Sequence, residues 1–195
     1  MRSKVRYLLA GALVGAILIC PTMAASVFPD VDEYVYYAEA VEFVNDVGIM
    51  CGDDKGNFNP NKTVTRAEMA TIVCRMLDET ENLAISNTFS DVPNTHWANK
   101  YITKAAEFSI VSGYGNGKFG PNDPVTYEQA VTMVVRAVGR TGQIQVPTNY
   151  PDGFLQTALD NDWLDGISSE KGEFLSRADI AVLIYNYYMN TATIM

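Results

Sequence analysis

One six-residue phrase is written three times along this 195-residue chain: TVTRAE at 63–68, PVTYEQ at 124–129 and FLSRAD at 174–179. An offset of 61 residues aligns 28–77 with 89–138 without a gap, and 14 of those 50 positions are identical. The identities cluster in FPDV (28–31) with FSDV (89–92), and in GDDKGNFNPN (52–61) with GYGNGKFGPN (113–122). A third, shorter copy starts at YPD (150–152), sets Gly166 where the others have Gly52 and Gly113, and ends in LSRADIAVLIYNYY. A unit this short cannot bury its apolar face alone, so its copies must cover one another.

Each copy reads as a helix, a glycine-rich loop and a second helix. The first helix is expected over about 34–47 in copy one and 98–108 in copy two. In the loops, Phe58 and Phe119 are expected to reach back to the core between turn-forming Gly and Pro residues. After each phrase, apolar residues recur at i, i+3, i+4, i+7 and i+8, as in Met69, Ile72, Val73, Met76 and Leu77. That spacing is one helical stripe facing a core. Three equivalent stripes predict a central three-helix bundle with the first helices and loops outside it, in an all-α fold.

The ends of the phrase are cap chemistry. Thr65 with Glu68, Thr126 with Gln129 and Ser176 with Asp179 each place a hydroxyl three residues before an acid or amide, just ahead of an apolar run. The middle is different, because no cap requires Arg66 or Arg177 at the first helical position, where the helix dipole disfavours a cation. Two readings are open there: neighbouring acids compensate, or arginine and exposed helix-start N–H groups converge on an anion. Copy two has Tyr127 instead.

The combination of FxDV, an aromatic after it, a GxGxFxPN loop and TRAE resembles the S-layer homology repeat. The resemblance covers about 28–189, with repeats at 26–81, 87–142 and, shortened, 149–190, and a tail at 191–195. It implies a pseudo-threefold, three-pronged domain whose inter-repeat grooves hold a cell-wall polysaccharide non-covalently, typically a secondary polymer bearing pyruvate ketals. It further implies ligand contacts at Arg66 and Arg177, with Tyr127 as an altered third position able to hydrogen-bond or pack on a sugar. The same carry-over points to Asp30, Asp91 and Asp152, to Trp97 and its counterpart Tyr36, and to Gly52, Gly113 and Gly166. For the aspartates a capping role, and for the glycines a helix C-cap or turn, stand beside ligand contact.

The N-terminus has the layout of a secretory signal: MRSKVR, then 14 apolar residues from Tyr7 to Cys20, then PTMAA, with cleavage expected after Ala24 or Ala25. A lipoprotein at Cys20 and an uncleaved anchor are the alternatives. Cleavage would take Arg2, Lys4 and Arg6 from the 14 basic side chains and none of the 23 acidic ones, moving the net charge from −9 to −12. Nucleic acid is therefore not an expected partner. No cofactor or metal is expected: GDDKGNFNPN misplaces Lys55 and Phe58 for an EF-type calcium loop. Cys51 and Cys74 could pair or stay as thiols. No acid pair or Cys–His set marks an active site, so the chain is read as a non-enzymatic anchor, against a glycan-active enzyme or an envelope scaffold. Self-association and a separate protein cargo stay open as partners.

Overall fold

The computed structural model describes residues 27–191; the expected leader lies outside them, as does the expected tail apart from Thr191, which ends the last helix. The described residues form six helices: α1 Ala38–Asp46, α2 Arg66–Met76, α3 Asn99–Glu107, α4 Tyr127–Arg140, α5 Asp152–Asp160 and α6 Arg177–Thr191. The only extended pairings among them are three isolated bridges, so the all-α expectation holds. No helix among them is long and apolar enough to cross a membrane.

The first helices are shorter than expected. Residues 34–37 form turns, and neither Tyr37 before α1 nor Ala98 before α3 offers a side-chain cap.

The three segments exchange partners around a ring. The second helix of each segment packs against the first helix of the next: α2 on α3, α4 on α5, and α6 back on α1. The phrases make the same circuit in hydrogen bonds. Val125 N–H donates to the Val64 carbonyl at 2.9 Å, Val64 N–H to Leu175 at 3.2 Å, and Leu175 N–H to Val125 at 3.4 Å. The residues two further on close a second ring: Arg66 N–H to Asp123, Tyr127 N–H to Glu173 and Arg177 N–H to Lys62, at 2.8–2.9 Å.

This arrangement corrects the expected centre. α4 packs on both α2 and α6, whereas α2 and α6 do not lie together; they are linked where the Tyr188 hydroxyl donates to the Met76 carbonyl at 3.3 Å. Much of each second helix is covered by the next segment's first helix, so the buried surface is wider than one stripe. In α6, Ile180 through Ile184 are all buried. Phe58 and Phe119 are fully buried as expected, packed on Phe28 and Phe89 at centroid distances of 5.4 and 5.3 Å.

Candidate functional site: clefts at the seams between segments

Two of the three expected capping boxes form. Thr65 Oγ1 accepts from Glu68 N–H at 3.2 Å while Glu68 Oε2 accepts from Thr65 N–H at 2.8 Å. Ser176 and Asp179 make the same reciprocal pair. The middle box is absent: Thr126 makes no cap bond, and its buried hydroxyl oxygen has no partner among the described residues. Gln129, which should close that box, instead turns its amide oxygen toward Arg66 Nη1 at 3.4 Å.

The arginines reach across the seams. Arg66 leaves the first segment and enters the second segment's loop, where Nε donates to the Phe119 carbonyl and Nη2 to Ser112, both at 2.8 Å. Its guanidinium lies 4.6 Å from the Phe119 ring centroid and 4.9 Å from Tyr114. Arg177 of the third segment does the same in the first segment's loop, donating to Phe58 at 2.7 Å and Cys51 at 2.8 Å, over the Phe58 ring at 4.5 Å. Burial pulls both below the ordinary guanidinium value, yet a guanidinium stays charged at any physiological pH. Cap chemistry requires neither arginine, yet each one ties a loop to a neighbouring segment and so has a structural part as well.

The same geometry explains Tyr127. Its partner would be the third segment's loop, and counting back from the phrase, Ser169 stands there where Phe58 and Phe119 stand in the others. Without the aromatic plate, an arginine has nothing to lie on. Tyr127 is half-buried against the core instead.

The aspartates shape these loops. Asp30 accepts from Phe58 and Asn59 N–H at 2.8 and 2.7 Å, and Asp91 from Phe119 and Gly120 N–H, both at 2.8 Å. Burial would raise the Asp91 carboxyl, but the two N–H groups outweigh it and hold it below the usual range. Asp152 differs: it pairs with Lys171 of the shortened loop. Asp53 is likewise taken up by its own loop, chiefly by the Asn59 amide, which holds it low.

Gly52 and Gly113 are not helix caps. A Cβ at Gly52 would come within 2.5 Å of the Phe28 ring, and one at Gly113 within 2.7 Å of Phe89, so glycine is what lets the FxD aromatic pack. The turn after α1 is made by Gly48 at φ +75°, and the equivalent turn after α3 by Ser109 at φ +57°. Gly166, at φ +80°, does serve a turn. Cys51 and Cys74 are free; Cys74 is buried, which pushes its thiol up to about 12.

Each seam carries a second helix-borne donor that the sequence reading missed. Arg75 Nη1 donates to the Ile49 carbonyl at 3.2 Å, and Arg136 Nη1 to Ile110 at 3.3 Å. Arg75 and Arg136 are one of the identities at the 61-residue offset, so the repeat alignment contained them. In the third segment the position is Asn186, whose amide donates to both Trp163 (3.2 Å) and Asp165 (2.8 Å). One asparagine there occupies the carbonyl pair that two arginines share elsewhere.

Two clefts result. The first-segment cleft, about 200 Å³, is lined by Arg177, Arg75, Glu68, Cys51 and Gly52, with the exposed Trp97 at its edge. The second-segment cleft, about 240 Å³, is lined by Arg66, Arg136, Gln129, Ser112, Gly113 and Tyr114, with Tyr150 standing where Trp97 stands in the other. Tyr36 takes the matching place at the third seam, 3.8 Å from where a Cβ of Gly166 would lie, and its hydroxyl meets Asp179 at 3.2 Å.

A helical array whose seams present paired guanidiniums, loop backbone and an exposed aromatic is a binding architecture. Residues 27–70 and 88–131 each match the family model for the S-layer homology domain, so the chain carries that domain's sequence in its first two segments. Among curated relatives, it is 33% identical over 177 residues to a cell surface protein of Thermoanaerobacter kivui, covering 89% of this chain and 23% of that one. It is 36% identical over 152 residues to the middle cell wall protein of Brevibacillus brevis, covering 71% and 14%. An amylopullulanase of Thermoanaerobacterium thermosulfurigenes is 31% identical over 122 residues, covering 60% and 6%. The chain thus spans less than a quarter of each of these relatives.

Proposed function

We propose that the chain anchors at the bacterial cell wall by holding an acidic wall polysaccharide in the first- and second-segment clefts. The S-layer homology segments and the cell-surface relatives indicate a secreted protein at the cell wall or S-layer surface. In this reading the third segment is a divergent copy of the same unit, completing a pseudo-threefold, three-pronged domain. Arg66 with Arg136 and Arg177 with Arg75 face the polymer's acidic groups, which a pyruvate ketal would supply. Tyr150, Trp97 and Tyr36 offer rings on which sugars can stack. Asp30 and Asp91 act through the loops they shape, and Gly52 and Gly113 bring loop backbone close to the ligand.

The observation that carries this is the pairing of two arginines from adjacent segments across one open cleft, made twice with the same geometry. Such a pair is matched to an anion. We read the chain as an anchor rather than a catalyst because the acid that lines the first-segment cleft, Glu68, already closes a capping box, and no acid lines the second. Burial would raise Glu68, but Lys62 and Thr65 outweigh it and hold it low, the opposite of what a general acid needs.

Incubating the full chain with sacculi tests the reading. It should sediment with native sacculi and not with sacculi stripped of secondary polymer by mild acid. Equal sedimentation with both, or with neither, would overturn it.

A further inference from the structure

The second-segment cleft does not end at Arg136. Val111, Ser112 and Arg136 also line a larger cavity of about 840 Å³, bounded by the end of α3, the last turn of α4, Phe154 and the linker residues Val146 to Thr148. Arg136 lies between the two spaces, its guanidinium 5.3 Å from the Phe154 centroid. Beyond it, one helical turn on, Arg140 lies 3.7 Å over the Phe108 ring and is exposed. No acidic residue lines either space, and among the described residues neither arginine forms an ion pair, in a chain whose net charge is −9.

A second observation points into the smaller cleft, where the track begins. Thr132 is 3% exposed, lines the cleft, and its hydroxyl has no partner among the described residues. Its counterpart Thr71 is satisfied by the Ala67 carbonyl at 3.0 Å. A buried hydroxyl without a partner costs stability unless something else meets it. The feature belongs to this seam alone: at the Arg140 position the first segment has Glu79, paired with Lys104 at 3.6 Å, and the third has Asn190. Gly139 also allows it, since a Cβ there would collide with Val146 of the linker.

We infer that this seam holds two anion-binding subsites in line, the second centred on Arg140 between Phe108 and the linker, so that it takes an anionic saccharide carrying acidic groups on successive units. The inference rests on the polysaccharide reading above. The subsite's chemistry fits either a carboxylate or a phosphate, and the test separates them.

The full chain, labelled with ¹⁵N-arginine, is titrated with methyl glucuronide in one arm, glycerol 3-phosphate in a second and uncharged methyl glucoside as control. The Nε–H resonances of Arg136 and Arg140 should move saturably with at least one anion and not with the control, and the arm that saturates earlier assigns the group. Arg140→Gln, an exposed change, should weaken that titration about tenfold or more, the loss expected for one charge-assisted contact, while Arg140→Lys should recover part of it. Silent Arg140 resonances in both arms, or an unchanged titration in Arg140→Gln, would overturn the subsite. Sacculus binding separates the two failures. Sedimentation with silent Arg140 sinks the subsite alone, whereas anion saturation without sedimentation sinks the polysaccharide reading and leaves an anion site.

Discussion

The second and third seams are built from the same phrase and end with opposite character. At the second, Arg66 and Arg136 supply two guanidiniums, and Gln129 faces Arg66 instead of capping its helix. At the third, Tyr127 and Asn186 replace both arginines, and Ser176 with Asp179 makes a complete capping box. The first seam lies between them: it has both arginines, but Glu68 sits in the cleft to close its own box. Local stability and cationic character trade against each other at one position. An acid three residues after the cap satisfies the helix and offsets the arginine; an amide releases the arginine's charge to the cleft and leaves the Thr126 hydroxyl without a partner among the described residues.

Truncating the cross-seam arginine should break this comparison most severely. Arg66→Ala leaves the Phe119 and Ser112 carbonyls without their donor and should cost about 3 kcal/mol in denaturant unfolding, whereas Tyr127→Phe should change stability by under about 0.5 kcal/mol. Asn186→Ala removes both bonds to Trp163 and Asp165 and should cost about 2 kcal/mol. Arg75→Ala, which removes one bond to Ile49, should cost about half as much. If those two lose equally, one asparagine is not standing in for two arginines.

Tyr127→Arg asks whether the third seam can be converted. With Ser169 where the ring should be, the new guanidinium gains no stacking partner, and the variant should lose about 1–2 kcal/mol without gaining sacculus binding. Smaller still is the cap contrast: Thr65→Ala should cost about 1 kcal/mol, while Thr126→Val, which removes an unpartnered buried hydroxyl, should be neutral or slightly stabilising. The smallest effect is in pH. Because Glu68 is held below the unfolded value of 4.5, its contribution is complete above that value and is lost as pH falls through the lower folded one. Glu68→Gln should remove that part of the acid limb, worth under about 1 kcal/mol.

How much of this was written legibly in the sequence depends on the range of the interaction. The second helices, their caps at Thr65 and Ser176 and the inward Phe58 and Phe119 are local signals, and periodicity exposes them. The destination of Arg66 is not local. Nothing in TVTRAE tells which loop it enters, because the partner lies 46 to 53 residues ahead. For Arg177 the partner lies 119 to 126 residues behind. Thr126 and Gln129 fit the cap pattern and still fail to form it, since a guanidinium from another segment competes for the amide. Arg75 and Arg136 were visible as an identity, but a cation on an otherwise apolar helix reads as solvated until the carbonyl above it is known.

The exchange of helices around the ring also sets the size of the assembly. Each second helix is seated on the next segment's first helix, and α6 is seated on α1, so every docking place is taken at three. A stacked repeat can grow by adding a unit at its end; here a fourth unit would have no vacant neighbour, and a unit removed would strand two. Variation is thereby confined to editing individual junctions, and the departures at Tyr127, Gln129 and Asn186 are such edits.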